Sequence, residues 1–414
     1  MIPAMPAGGP RDRLHMTART TTDTRATERG TEQTAPLRVL ALEPWLGGSH
    51  ARFLEGWRAR SRHVVEVRGL APRHWKWRMA ASAWELARAL ERGSCARPDV
   101  LFASDYLDLP ALRGFLPSAW SEVPAVLYFH ENQLTYPLRP GATEDDRDHS
   151  HGLRNVLSAL AARCVAFNSR YHLDAFAVAA DDLLARLPRP NPRSELRIAL
   201  QRAVVVHPGI DLEELPIGQG AEASAPLRVA FNHRWEHDKD PAAFLRAVRD
   251  ALRLGARMEL VLLGETFEQT PDEAVELLEE LAPIVHHRGY AASRAEYARR
   301  LGECDLVVST ARHDFFGMSV VEGLAAGCMP LLPARLAYPE VLAPELHEAA
   351  LYTREADLVA RLRDWSDRPE ALREPAHRDS MRAAAGRHDA ARTAAELDRL
   401  CSRVHATNQG ATMA

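Results

Sequence analysis

The stretch Cys304–Pro333, reading CDLVVSTARHDFFGMSVVEGLAAGCMPLLP, admits few folds. Asp305–Thr310 is a short β-branched run, the pattern of a strand buried on both faces. Met318–Ala326 has apolar residues at spacings of three and four and is followed by Gly327, a helix with its C-terminal cap. Met329–Leu332 is a second buried strand, so the whole is one βαβ unit. Between strand and helix lies Arg312–Gly317, and two carboxylates, Asp314 and Glu322, flank the helix start. Amides at a helix start attract phosphate, and a glycine there lets a ligand approach the backbone. A carboxylate repels phosphate but accepts hydrogen bonds from sugar hydroxyls. A nucleotide sugar has both groups. The plainer alternative is that every doubly wound protein has such units, and an acid early in a helix simply complements its dipole.

At 414 residues the chain has room for two domains. A formal charge of −4 argues against a protein held on nucleic acid by its overall field, and leaves room for a local basic patch. No apolar run approaches the ~20 residues of a membrane span. The five cysteines, Cys95, Cys164, Cys304, Cys328 and Cys401, form no C-x-x-C pair and read as reduced core thiols of a cytoplasmic protein.

Residues 1–36 are rich in Thr, Arg, Ala and Gly and read as a disordered extension. They are Arg- and Thr-rich like a transit peptide but carry Asp12, Asp23, Glu28 and Glu32, and Met16 offers a second start. Strands are expected at Leu37–Leu42, His63–Val67, Val100–Ala103, Ala125–Phe129, Cys164–Phe167 and Val204–Val206, with helical patterns between them. That alternation gives a first parallel-sheet domain over 37–212. Gly47 and Gly48 form a phosphate-approach turn, with Ser49 as the expected N-cap. Ligands of such sheets collect at the carboxyl ends of strands. His130, Glu131, Asn132 and Gln133 follow one strand there, and Asn168-Ser169-Arg170 another. Glu144–His151 (EDDRDHSH) imitates a metal site but reads as a solvated, flexible acidic loop.

Residues 213–226, with prolines, glycines and no apolar period, read as a linker. A second domain spans 227–352, helices follow over 353–406, and 407–414 is expected to fray. Its strands are Leu227–Phe231, Glu259 or Leu260 to Leu263, Ile284–His287 and the two already described. Asp240-Pro241 is a helix start with its N-cap, which puts Arg234 and Lys239 in the preceding loop, where paired cations suit a diphosphate. Asp238-Lys-Asp240 also spells a D-x-D metal motif, discounted because Asp240 is needed as the cap. Gly264 (before Glu265-Thr266) and Gly289-Tyr290 end two more strands. These four strand ends are expected to converge on one cleft between two Rossmann-like doubly wound domains.

The pattern Arg234-x4-Lys239, followed far downstream by an acid, seven residues and Glu322, with Phe316-Gly317 inside, resembles the retaining glycosyltransferases of the GT-B architecture. That resemblance implies that Arg234 and Lys239 hold the donor diphosphate and Glu322 the ribose. Asp314, usually Glu in the family, and His130 would lie beside the transferred sugar. It implies no metal. More narrowly, WLGGSH (45–50), HWKWR (74–78), YFHENQLTYP (128–137), FNS (167–169), HRWEHDKDP (233–241), LGETF (263–267) and FFG (315–317) resemble the tRNA-queuosine mannosyltransferase group. This implies transfer of mannose from GDP-mannose to queuosine at the wobble position of an aspartate tRNA, with no cofactor and no stable membrane association.

Arg73-His-Trp-Lys-Trp-Arg78 gives the RNA idea its own physical content, since indoles stack bases and cations meet phosphates. Trp75, Lys76, Trp77 and Arg78 are therefore acceptor candidates alongside Glu131, Asn132 and Gln133. Equally, Trp75 and Trp77 fit as core anchors of a helix around Ser82–Leu90. Two rival functions stand beside the main one: a GT-B enzyme with a lipid or polysaccharide acceptor, docking through residues 73–90, or a non-catalytic nucleotide-sugar sensor.

Overall fold

The computed structural model describes residues 35–93, 95–138, 141–264 and 272–412. The expected extension up to residue 34, Glu265 and Thr266, and the last two residues lie outside them. The first half contains β1 (Arg38–Glu43), α1 (Gly48–Arg60), β2 (Val64–Gly69), α2 (Trp75–Arg92), β3 (Val100–Ser104) and α3 (Leu109–Phe115). It continues with β4 (Ala125–Phe129), α4 (His149–Ala161), β5 (Cys164–Phe167), α5 (Arg170–Arg186), α6 (Arg193–Gln201) and β6 (Val204–Val205). The second half has β7 (Leu227–Phe231), α7 (Pro241–Arg253), β8 (Met258–Leu262), α8 (Asp272–Glu280), β9 (Val285–Arg288) and α9 (Arg294–Gly302). Then come β10 (Leu306–Val308), α10 (Met318–Ala325), β11 (Met329–Pro333), α11 (Tyr338–Val341), α12 (His347–Ala350) and β12 (Leu351–Tyr352). Four helices close the chain: α13 (Glu355–Ser366), α14 (Glu370–Arg373), α15 (Pro375–Ala385) and α16 (Ala390–Thr412).

Two six-stranded parallel sheets result, ordered β2-β1-β3-β4-β5-β6 and β12-β11-β10-β7-β8-β9. The strand order reverses between β1 and β3 in the first and between β7 and β10 in the second. Ligands of doubly wound sheets sit beyond the strand ends at such reversals. The loops that leave those four strands are therefore the places to look. Alternation of apolar and helical runs carried this architecture. Leu101, Val126, Leu127 and Val165 are buried because their strands are covered on both faces, as are Val229, Leu260 and Leu331 in the second sheet.

Several local expectations change. Helix α1 starts at Gly48 with Gly47 as an N-cap that has no side chain to offer, so Ser49 lies inside the helix. Asp240 does cap α7, accepting from the Ala243 N–H, with Pro241 first in the helix. Glu144–His151 is not a loose loop. Thr143 and Asp146 cap a short 3-10 turn, Arg147 pairs with Glu144 at 2.8 Å, and Asp148 caps α4 from the Ser150 N–H.

The 213–226 segment is not a free linker either. Leu215 is buried, and Gly218 runs so close to Gly302 that a Cβ would lie 2.0 Å from its carbonyl oxygen. The buried Arg378 guanidinium donates to the carbonyls of Gly218, Gly302, Cys304 and Ala326, and Arg373 to those of Glu222 and Pro226. Pinning this strip takes two arginines from the C-terminal helices α14 and α15.

The tail expected to fray is helical to Thr412. Helix α16 returns to the first sheet, where Leu397, Leu400, Cys401 and Val404 pack with Val39, Phe53, Trp57 and Tyr128. The Trp57 indole N–H donates to Asp398 at 2.8 Å. The chain thus crosses twice between the halves. Further ties hold them: Ser169 Oγ donates to the Phe315 carbonyl at 2.5 Å. Glu340 accepts from the Arg170 and Tyr171 N–H groups and pairs with His207 at 2.9 Å.

Candidate active site

One cleft is lined from both sheets. Loop β7–α7 contributes Asn232, His233, Arg234, Asp238 and Lys239; loop β10–α10 contributes His313 to Gly317, and α10 adds Met318 and Ser319. The facing wall is Ser49 and His50 of α1, with His130, Glu131 and Tyr136 after β4. The second-domain wall is thus built from both reversal loops of its sheet, and the facing wall from α1, which follows β1, and from the loop after β4.

Lys239 is the hub of the second-domain wall. Its Nζ donates to the His313 carbonyl at 2.8 Å and lies 3.3 Å from Asp314 and 3.4 Å from Asp238. Asp314 also accepts from the Tyr338 hydroxyl (3.2 Å) and the Phe316 N–H (3.3 Å). Burial pushes its pKa up, but Lys239 and the other neighbours outweigh that and hold it below the usual carboxylate range. Asp314 is therefore an anion. Arg234, exposed at the cleft, donates to the Tyr136 hydroxyl and pairs with Glu236 at 3.0 Å.

Gly317, at φ 105°, precedes α10, and a Cβ there would lie 2.8 Å from the Tyr338 ring. Only glycine fits the turn that brings the first α10 amides, which have no intrahelical acceptors, to the cleft. Cation and amides thus converge on one spot, the requirement for a diphosphate.

His130 opposes them. Its Nε2 is buried without a partner, its ring stacks on His50 at 4.0 Å, and its backbone N–H donates to Asp105 at 2.8 Å. Burial, with His50 and His172 nearby, holds its pKa well below the ordinary value, so the imidazole is neutral. A neutral ring nitrogen can donate to or accept from a sugar hydroxyl. His50 behaves oppositely. Burial lowers its pKa, but the Glu43 carboxylate 3.2 Å away raises it to about 9.

Glu322 faces an adjoining recess lined by Arg52, Arg60, Arg294 and Met318; Met318 also lines the cleft. Its carboxylate accepts from the Tyr297 hydroxyl at 2.7 Å and pairs with Arg294 at 2.8 Å. Asp314 lines the cleft and Glu322 the recess, and Met318 borders both.

Other expected site residues fall elsewhere. Gly264 supports the wall from behind, because a Cβ would lie 1.6 Å from the His233 carbonyl oxygen. Gly289 (φ 136°) and the exposed Tyr290 lie outside the cleft lining, since β9 is two strands away from the reversal. Gly47 packs on Pro72, leaving Gly48, with nothing within 4 Å of a Cβ position, as the open glycine of that turn. The Phe316 ring packs on His207 and His388, so only its backbone faces the cleft.

Asn132 is fully buried and folds its own turn, its Oδ1 accepting from the Leu134 and Thr135 N–H groups. Gln133 donates to Glu131 at 2.8 Å. Neither lines the cleft; Glu131 alone of the three does. Arg78 is likewise buried, ion-paired with Glu85 at 2.8 Å. Trp75 is half-buried against His151, and Trp77 and Lys76 are exposed, so Trp77 is no core anchor.

His50, Asp105, Tyr136, His233, Arg294 and Tyr297 were missed. His50 closes the WLGGSH motif and Tyr136 sits in YFHENQLTYP, so both lie inside stretches that carry the resemblance.

Asp240 is engaged by its cap and by Arg312 at 2.6 Å, and one Asp238 oxygen by Lys239 at 3.4 Å, while Asp238 Oδ1 is buried without a partner. Among the described residues one group, Glu43, His50 and His130, has donor atoms within 4.8 Å of one another. Glu43 already accepts from the Trp45 N–H and Ser104 hydroxyl besides pairing with His50.

Comparisons with known proteins give the family and the fold. The family model described as tRNA-queuosine alpha-mannosyltransferase N-terminal matches residues 38–210, and that of family 4 glycosyltransferases in conflict systems matches 189–409. A tRNA-queuosine alpha-mannosyltransferase of Drosophila melanogaster is 30% identical over 344 residues, 81% of this chain and 88% of the relative. A GDP-mannose:cellobiosyl-diphosphopolyprenol alpha-mannosyltransferase of Xanthomonas campestris is 26% identical over 33% of this chain and 35% of its own. In fold, the chain is similar to Anabaena HepE in complex with UDP and glucose (TM-score 0.61, 14% identity, 88% of this chain, 100% of the other). It is also similar to the sucrose-phosphate synthase of Thermosynechococcus elongatus (TM-score 0.65, 14% identity, 89% and 100%). The architecture is GT-B, and the chain belongs to the tRNA-queuosine alpha-mannosyltransferase family.

Proposed function

We propose that the protein transfers mannose from GDP-mannose to queuosine at the wobble position of an aspartate tRNA, with retention at the anomeric carbon and without a metal. The observation that carries the reading is the convergence of Lys239, Arg234 and the α10 amides opposite a neutral His130. The bond from the anomeric carbon to the β-phosphate oxygen breaks, a bond to the acceptor hydroxyl forms on the same face, and the hydroxyl proton passes to the leaving diphosphate. Charge grows on that diphosphate, and preorganised cations and amides stabilise it most when it is fully developed. Asp314 and His130 would orient the sugar hydroxyls, and Glu322 would accept from the ribose hydroxyls in its recess. Glu131, on the first-domain wall, would meet the acceptor. Contact between the walls, such as Arg234 with Tyr136, would keep water from the reacting carbon.

No helix among the described residues is long and apolar enough to cross a membrane. We assign the protein to the cytoplasm with tRNA and a nucleotide sugar as its partners and no stable membrane association. The test is incubation with queuosine-containing tRNA and a panel of nucleotide sugars, then mass analysis of the digested nucleosides. A hexose added to queuosine only from GDP-mannose is expected; transfer from another donor, or to no tRNA, overturns the reading.

A further inference from the structure

We propose that the outward face of α2 is an RNA-docking surface, on which Trp77 and Trp84 stack unpaired bases while Arg88 and Arg92 meet phosphates. The proposal rests on the functional reading above and extends the RNA contact from the mouth of the cleft along a whole helix. Met79, Ser82, Ala83, Leu86 and Leu90 give α2 its buried face. Trp77 and Trp84 lie seven residues apart on the opposite face, 59% and 50% exposed. Tryptophan is usually largely buried, so two exposed indoles on one stripe indicate an occupant.

The Trp77 indole is held for that purpose. Its N–H donates to Glu85 Oε1 at 3.0 Å, and the other Glu85 oxygen pairs with Arg78 at 2.8 Å. Arg78 is buried and anchored on the Ala71 carbonyl. The one polar atom of the ring is thereby satisfied within the protein while its flat face stays open. A fixed ring loses little entropy on stacking a base. Trp84 lines a recess with Leu70, Glu85, Arg88, Glu91 and Arg92.

The surrounding charge favours a polyanion. Arg73, Lys76 and Arg92 have no carboxylate partner among the described residues, Arg88 pairs with Glu91, and Glu85 is neutralised by Arg78. From Trp77 to Arg92 the helix rises about 22 Å, enough to follow one side of a short stem-loop. Its N-terminal end also lies in the right place. Trp75 packs on His151 at the start of α4 (5.1 Å), and Arg147 just before it donates to the carbonyls of Gln133 and Tyr136. RNA lying along α2 would bring its loop to the wall that carries Tyr136 and Glu131.

The experiment uses the full chain, queuosine-containing tRNA and the free queuosine nucleoside. The W77A/W84A variant, with unchanged thermal stability, should bind tRNA on the order of a hundredfold more weakly, about tenfold for each stack. R88E/R92E should bind weakly, with a salt slope shallower by about two. E85A should weaken binding in part, and E85Q, which still offers an acceptor to the indole, should restore it. Mannosyl transfer to the free nucleoside should keep its wild-type kcat and KM in every variant, which a merely structural role would not leave intact. Folded W77A/W84A that binds tRNA like wild type overturns the proposal. So does loss instead of self-association, or of binding to phosphatidylcholine–phosphatidylserine vesicles, with tRNA binding unchanged. Wild type that binds no tRNA overturns the proposal together with the functional reading; wild type that binds tRNA without transferring hexose overturns that reading alone.

Discussion

Lys239 Nζ lies 3.3 Å from the Asp314 carboxylate, joining the loops that leave β7 and β10 at the reversal point of the second sheet. Without donor the pair satisfies both charges. With donor, a diphosphate oxygen would share Lys239, and Asp314 would be freed toward the sugar. Lys239→Ala and Arg234→Ala are each expected to lower turnover by roughly 10²–10³, the usual cost of losing one preorganised donor. Lys239→Ala should be the less stable protein, because it leaves Asp314 and Asp238 buried without their cation. Steady-state kinetics with thermal melts checks this; wild-type turnover in both variants would place the diphosphate elsewhere.

Stability should peak near neutrality, with each limb owned by named histidines. Burial holds His233, His313 and His388 at about 4, below the ordinary 6.5. The native state therefore binds fewer protons than the unfolded chain, and their contribution is complete above about 6.5 and lost as pH falls toward 4. Each such group can contribute on the order of 3 kcal/mol. His50 runs the other way. Raised to about 9, its contribution is complete below about 6.5 and disappears as pH rises through 9. Thermal melts from pH 4 to 10 should show both limbs, and His50→Gln should flatten the alkaline one. An unchanged alkaline limb in that variant would mean that the Glu43 pair does not stabilise the fold.

How much of this was legible depends on how local each determinant is. Strand–turn–helix alternation and the Asp240 cap are properties of neighbouring residues, and both stand in the structure as read. Arg378, which holds four carbonyls from 52 to 160 residues away in sequence, carries no local signal because its partners are assembled only by the fold. The same is true of Arg294, whose role depends on α9 lying beside α10. Asn132 shows the converse. Polar residues after a strand suggest a site, yet a turn that must fold inside the protein also needs side-chain acceptors for its own N–H groups.

Activity is expected to persist through exhaustive chelation. The growing diphosphate charge would be met by Arg234, Lys239 and helix amides, and the D-x-D carboxylates are engaged by Lys239, Arg312 and the α7 cap. The check is transfer to queuosine tRNA after dialysis against EDTA, with metal content measured alongside. Activity lost and then restored by a divalent ion would make Glu43, His50 and His130 the first ligand set to mutate.

The last prediction separates donor recognition from chemistry. Glu322 is buried at the edge of its recess, one oxygen held by the Tyr297 hydroxyl and the other by Arg294. Ribose hydroxyls entering there would donate to a carboxylate whose position is already fixed. Hydrogen bonds to a charged group are worth about 1.5–3 kcal/mol, so Glu322→Gln should weaken GDP binding by roughly 10- to 100-fold. The effect belongs to ground-state binding, so KM for donor should rise with little change in kcat. Tyr297→Phe should show the same trend more weakly, because it removes only the bond that orients Oε2. Titration calorimetry with GDP, set beside the kinetics, reads both. Wild-type GDP affinity in folded Glu322→Gln would move the ribose out of this recess and leave Glu322, Tyr297 and Arg294 as a purely structural brace between α9 and α10.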